Sequence, residues 1–161
     1  FLYTGLCLIE GTNVSEGRGT NKPFKLIGAP WIDSSRLLKS LRSYSLKGIQ
    51  IKAVEFTPES IIGKSTNPKY KNKVCNGIEL QVLDYEVFDP VSFSIILIDE
   101  LNKNFPDNFN FLKSNFINNL YGSNQLKDAV LKGQGIEDLL TMNKKDCNTF
   151  REIRSNYVIY K

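Results

Sequence analysis

Glu10, Glu16 and Arg18 stand close together in the run Glu10-Gly11-Thr12-Asn13-Val14-Ser15-Glu16-Gly17-Arg18-Gly19-Thr20. These eleven positions hold three glycines, two carboxylates, one guanidinium and four hydroxyl or amide side chains. The stretch is too polar for a core and too rich in glycine for a helix, which is the composition of a binding loop. Glycine lets a backbone take positive φ and come close to a ligand, and loops carried on rigid elements concentrate functional groups. Arg18 sits between Gly17 and Gly19, and its planar fork matches a carboxylate or phosphate in two parallel hydrogen bonds. Asn and Gly are also ordinary turn residues, so composition alone fits a plain turn equally well. The chain has no histidine, which removes the commonest general base and leaves acid–base chemistry to carboxylates.

The elements around this loop set its position. Leu6-Cys7-Leu8-Ile9 is a short continuous apolar run, which suits a strand buried on both faces and delivers Glu10 to the loop. A second extended piece is expected over residues 24–28, and Pro30 blocks its continuation. Asp33 or Ser34 caps a helix with Leu37, Leu38, Leu41 and Tyr44 on one face, stopped by Gly48. Residues 49–56 and 77–84 alternate as strands, the latter with Ile78, Leu80 and Val82 on one face. Asp89 as cap and Pro90 at the first helical position open a helix to about Asn104, with Val91, Ile95, Ile98 and Leu101 as its buried stripe.

Residues 59–76 lose all periodicity and read as a long loop. Within it, Gly63-Lys64-Ser65 imitates the end of a phosphate-binding loop, but Pro58 stands where that pattern needs its first glycine and no strand directly precedes it. Residues 105–116 read as a loop with a short element. Helices follow over 125–132, 136–140 and 144–154, and Tyr157-Val158-Ile159-Tyr160 is expected to dock as an apolar tail. Strands cluster early and helices late, so the expected class is α+β, a small mixed sheet packed by several helices in a single domain spanning residues 1–161.

Composition narrows the functional classes. At 161 residues, 41% hydrophobic and 24% charged, the chain is an ordinary globular domain. No apolar run approaches the ~20 residues of a membrane span. The net charge of +4 is densest over residues 64–73, but without interleaved aromatic stacking or a binding motif it reads as a solvated loop, and no nucleic-acid partner is expected. Cys7, Cys75 and Cys147 are widely spaced and without a CxxC pair. With no histidine they offer no zinc site, and they read as small buried hydrophobes. No metal and no cofactor is expected. A phosphate-binding glycine loop needs a helix N-terminus right after Gly19, which Pro23 and the extended run after it oppose.

The motif run, together with Leu2-Tyr3-Thr4-Gly5-Leu6-Cys7-Leu8-Ile9 before it and Pro23-Phe24 and Gly28-Ala29-Pro30-Trp31 after it, resembles the signature of the exo-β-N-acetylmuramidase (NamZ-type) family, long known as a domain of unknown function. The resemblance continues through Phe56-Thr57-Pro58, Cys75-Asn76-Gly77-Ile78, Phe88-Asp89-Pro90, Leu120-Tyr121-Gly122-Ser123 and Phe150-Arg151 to Tyr160. One departure is a tryptophan expected shortly before the final helix, where Met142 and Asn143 stand instead. The resemblance implies a chain about twice this long, with a Rossmann-like N-terminal domain preceding the present region, so that any signal peptide lies upstream.

It also implies a bacterial hydrolase, a glycosidase that removes terminal non-reducing N-acetylmuramic acid from peptidoglycan fragments in cell wall recycling, with a periplasmic or secreted location favoured. The main catalytic carboxylate then belongs to the N-terminal domain, and this chain supplies the other wall of the cleft. Glycoside hydrolysis usually uses two carboxyl groups. Glu10 is the first candidate for a catalytic or sugar-binding role and Glu16 the second. Arg18 has the chemistry to read the lactyl carboxylate of muramic acid. Asn13, Ser15 and Thr20 are candidates for sugar hydroxyls or the N-acetyl group, and Trp31 or Tyr3 for stacking on the ring, with a core plug as the competing role for Trp31. Asn13-Val14-Ser15 also spells a glycosylation sequon, taken as coincidence within the motif. The alternative is a carbohydrate-binding module that holds peptidoglycan without catalysis.

Overall fold

The computed structural model describes residues 1–160. Its helices are α1 (Tyr3–Leu6), α2 (Ser34–Leu41), α3 (Pro90–Asn104), α4 (Phe116–Tyr121), α5 (Gln125–Lys132) and α6 (Glu137–Ser155), and its strands β1 (Leu26–Ala29), β2 (Ile49–Phe56) and β3 (Cys75–Val82). The class is α+β as expected, but the sheet is antiparallel throughout rather than mixed, in the order β1-β3-β2.

Leu6-Cys7-Leu8-Ile9 is not a strand. It ends α1 and begins a 3-10 helix over Cys7–Gly11. Leu6, Leu8 and Ile9 are all buried, and a short run apolar on every side does not distinguish a buried strand from a buried helical segment. The consequence for the site is that Glu10 emerges from a tight helical turn.

Capping sets the two main helices. Asp33 Oδ1 accepts from Ser35 N at 2.9 Å and Arg36 N at 3.0 Å to start α2. Asp89 Oδ1 accepts from Val91 N and Ser92 N, with Pro90 at the first turn of α3. These bonds satisfy amides that a helix start leaves without partners. The middle of α3, from Phe93 to Leu101, is buried on every side, including Ser94, Asp99 and Glu100, whereas Val91 of the expected stripe is exposed. Tyr44 Oη donates to Glu100 Oε1 at 2.8 Å, which ties the end of α2's connection to the central helix.

Ile78 and Leu80 of β3 face this helical layer, paired across the ladder with Ile27 of β1 and Ile51 of β2. On the other face Glu79 lies opposite Lys52, and Gln81 opposite Gln50. At the far end of that face Leu26, Phe56 and Cys75 form a small second cluster under Tyr70 of the long loop.

The two late helices expected over 136–140 and 144–154 are one, α6, because nothing between Thr141 and Asn143 breaks a helix. Leu139 is buried and Met142 packs against the core, but the helix then runs out into solvent. The tail is not docked: Tyr157, Ile159 and Tyr160 are exposed, as are Phe150 and Ile153. Cys75 is buried as expected, Cys7 is half-buried, and Cys147 is exposed on α6. Among the described residues no helix is long and apolar enough to cross a membrane.

Candidate functional site

The glycine-rich loop is folded tightly on itself. Gly17 and Gly19 have φ of 76° and 80°, a region that L side chains rarely adopt. A Cβ on Gly17 would lie 2.7 Å from Leu26 O, and one on Gly19 2.5 Å from Pro68 Cγ and 2.6 Å from Glu59 O. The glycines therefore serve close packing of the loop against β1 and the long loop, in addition to turning the chain on either side of Arg18.

Arg18 turns back onto Glu10. Its Nε and Nη2 both donate to Glu10 Oε1, at 3.0 and 2.8 Å. Its guanidinium carbon lies 5.1 Å from the centre of the Phe24 ring, within cation–π range. Glu10 Oε2 and Arg18 Nη1 accept and donate no hydrogen bond among the described residues. The Arg18 side chain is 42% exposed and that of Glu10 19%, so a ligand can reach the open edges of the pair.

Beside this pair lies a second one whose carboxylate is buried. Glu16 is 4% exposed, and its Oε2 accepts from Lys69 Nζ at 3.0 Å. Lys69 also donates to Val14 O at 2.9 Å and Ile9 O at 3.2 Å, so one ammonium ties together the end of the 3-10 helix, the glycine loop and the Glu16 carboxylate. Arg18 Nε stands 3.6 Å from Glu16 Oε1, joining both pairs into a quartet of two anions and two cations.

The remaining candidates are spent on the loop's own architecture. Asn13 Nδ2 donates to Asn108 O at 2.7 Å while its Oδ1 accepts from Asn110 N at 2.9 Å, stapling the loop to residues 108–110. Ser15 is buried and its Oγ accepts from Gly17 N. Thr20 Oγ1 donates to Gly17 O at 2.6 Å and accepts from Lys22 N at 3.0 Å. Trp31 packs against Phe105, ring centres 5.6 Å apart, and its Nε1 donates to Tyr70 Oη at 3.0 Å, which holds the half-buried indole against the edge of the core. Burial pushes the Tyr70 phenol up, so it stays neutral. Tyr3, by contrast, meets Phe24 edge-on at 4.8 Å and so stands near Arg18.

Two residues of this site receive no role from the sequence. Lys69 is one of several lysines in an aperiodic loop, and nothing in its neighbours marks it as the one that folds inward. Phe24 has φ of 61°, a conformation uncommon for a bulky side chain. Its N–H donates to Glu16 O at 2.7 Å, and this turn carries the ring beneath Arg18. Among the described residues no cluster of three or more His, Cys, Asp or Glu could hold a metal ion.

The comparisons with known proteins agree with one another. The family model described as "Exo-beta-N-acetylmuramidase NamZ, C-terminal" matches residues 1–160. The chain is 36% identical over 160 residues to the peptidoglycan beta-N-acetylmuramidase NamZ of Bacillus subtilis (strain 168), a match that covers 99% of this chain and 37% of that protein. It therefore spans little more than a third of that relative's length. Two crystal structures of DUF1343 family proteins from Bacteroides fragilis NCTC 9343 are similar in fold over 99% of this chain. One has a TM-score of 0.86 at 19% identity and is covered over 41% of its length. The other has a TM-score of 0.70 at 30% identity and is covered over 40%. With the family model matched from the first residue to the last but one, and with the loop that carries its signature folded into one braced site, this chain belongs to the NamZ C-terminal domain family.

Proposed function

We propose that this chain is one wall of the active-site cleft of a glycosidase that removes terminal non-reducing N-acetylmuramic acid from peptidoglycan fragments, the other wall being a preceding N-terminal domain of the same protein. Family membership and the muramidase activity of the Bacillus subtilis relative support the reaction class. The observation that carries the role of this chain is the Glu10–Arg18 pair, half open to solvent beside the Lys69–Glu16 pair, whose carboxylate is buried.

Muramic acid differs from glucosamine by a lactyl ether that ends in a carboxylate. Arg18 presents Nη1 and the outer edge of its fork to that anion while Nε and Nη2 remain on Glu10. Glu10 Oε2 faces the same solvent and accepts a sugar hydroxyl, or takes the second carboxyl role that glycoside hydrolysis uses. Because Glu10 already holds the guanidinium in one orientation, the ligand does not have to pay the full cost of ordering a long side chain.

The test uses the whole protein and two substrates, a muramic acid glycoside and the glucosamine analogue without the lactyl group. Arg18→Lys keeps the charge but loses the planar fork. It is expected to lower kcat/KM for the muramic acid substrate by roughly ten- to a hundredfold, the scale of a charge-assisted hydrogen bond, and to leave the analogue nearly unaffected. An equal loss on both assigns Arg18 to bracing Glu10 alone. Full turnover with weakened retention on peptidoglycan polymer assigns the domain to carbohydrate binding without catalysis.

A further inference from the structure

Arg18 stands between two carboxylates and bonds only one of them. Its Nε is 3.0 Å from Glu10 Oε1 and 3.6 Å from Glu16 Oε1, and the longer distance is too great for a hydrogen bond. Burial alone favours the opposite choice. The Glu16 side chain is the more buried of the two, and a buried carboxylate has the greater need of a cation. Lys69 removes that need, with its Nζ 3.0 Å from Glu16 Oε2.

Lys69 is fixed in this place from every side. An ammonium has three N–H donors, and three acceptors stand around it: Val14 O at 2.9 Å, Glu16 Oε2 at 3.0 Å and Ile9 O at 3.2 Å. The residue before it, Pro68, is buried and packs against Gly19. The residue after it, Tyr70, has φ of 55°, uncommon for an aromatic side chain, and its Oη accepts from Trp31 Nε1. A backbone held in that region persists only where its surroundings over-determine it. Ile9 directly precedes Glu10, so the same ammonium also fixes the backbone from which Glu10 emerges.

We propose that Lys69 is a positioning residue for anion recognition: by neutralising Glu16 it leaves Arg18 to Glu10, with the outer edge of the guanidinium turned to solvent. This rests on the muramidase reading and names the residue that keeps Arg18 available to the lactyl carboxylate. Without the ammonium, Glu16 becomes the carboxylate that needs Arg18, and the guanidinium is drawn off Glu10 towards the buried side of the loop. The quartet also changes from balanced charge to one excess negative charge, which opposes an incoming carboxylate.

The experiment uses the whole protein and the ratio of kcat/KM for a muramic acid glycoside over the glucosamine analogue without the lactyl group. Lys69→Met is expected to lower that ratio roughly tenfold, the scale of one charge-assisted hydrogen bond. Adding Glu16→Gln removes the competing carboxylate and is expected to restore most of the ratio. A Lys69 that only holds the loop together lowers both substrates alike, or gives a loss that Glu16→Gln does not restore, and either result overturns the proposal. Where Lys69→Met does not fold, Lys69→Gln carries the same comparison, because its amide can still donate to the backbone carbonyls.

A second measurement needs no substrate. The Nε–H resonance of Arg18 in the whole protein, assigned with Arg18→Lys, reports which carboxylate holds the guanidinium. Glu10→Gln is expected to shift it when Lys69 is present and to leave it nearly in place in Lys69→Met, where Glu16→Gln shifts it instead. A resonance that follows Glu10 in both backgrounds overturns the proposal even where the ratio falls. If the unaltered protein hydrolyses neither substrate, the muramidase reading fails, and this resonance alone decides whether Lys69 assigns Arg18 to Glu10.

Discussion

Lys69 Nζ lies 3.0 Å from Glu16 Oε2 across a separation of 53 positions in the chain. The glycine loop is thus held by a side chain from a segment that shows no pattern of its own. Removing the ammonium leaves the buried Glu16 carboxylate with only Arg18 Nε, 3.6 Å away, and losing the nearer partner of a buried charge is the costly way to break an ion pair. Lys69→Met is expected to cost about 3 kcal/mol of stability, measured by urea unfolding. Adding Glu16→Gln to it is expected to recover about half of that loss, because the uncompensated charge goes too. A double variant no more stable than Lys69→Met means that the bonds to Ile9 O and Val14 O, not the ion pair, carry the effect.

Gly19 tests the packing of the two loops. Gly19→Ala meets both a positive φ and the contact with Pro68 and Glu59, and is expected to cost about 1–3 kcal/mol. Gly63→Ala has nearly the same φ, 77°, but nothing within 4 Å of the new Cβ, and is expected to cost only about 1 kcal/mol. Equal losses in urea unfolding mean that φ alone matters at Gly19.

Asp99 sets a pH dependence. It is 1% exposed in the middle of α3, its Oδ1 has no hydrogen-bond partner among the described residues, and its Oδ2 faces Lys103 Nζ at 2.5 Å. Burial raises its carboxyl above the ordinary aspartate range, against the opposing pull of Lys103. The folded state therefore holds this proton more tightly than the unfolded chain. Stability from this group is full below the unfolded value of about 3.9, falls as pH rises towards the raised folded value, and stays reduced above it. Asp99→Asn is accordingly expected to raise Tm at pH 7 by a few degrees, with the gain shrinking towards pH 4. A lower Tm at pH 7 shows that the Lys103 pairing outweighs burial.

Thiol reactivity should separate the cysteines. Burial pushes the Cys75 thiol up to about 11, so its reactive thiolate is scarce at pH 8 and is also out of reach. Cys147 is exposed on α6. Iodoacetamide at pH 8 is expected to label Cys147 within minutes and Cys75 only after denaturation, as read by peptide mass spectrometry. Early labelling of Cys75 shows that the cluster of Leu26, Phe56 and Tyr70 opens readily.

The sequence by itself determined which loop is the candidate site and much of the scaffold. A loop this dense in glycine and charge has few alternatives, and the caps Asp33 and Asp89 and the alternation of Ile78, Leu80 and Val82 are local signals that tertiary context did not override. Family membership was legible for the same reason, since the motif residues are contiguous. Where the pattern was ambiguous, the tertiary structure decided. Leu6-Cys7-Leu8-Ile9 became helical because burial on every side erases periodicity, and the two expected late helices joined because no residue between them interrupts a helix. The contacts inside the motif were also decided by packing. Asn13, Ser15 and Thr20 have the chemistry to bind a sugar, and in the fold each also bonds backbone groups of the loop or its neighbours, because a loop this tight must satisfy its own buried amides and carbonyls. Lys69 and the Phe24 ring reach the site only through the fold: one comes from a distant loop and the other through a backbone turn, and neither contact is encoded by spacing along the chain.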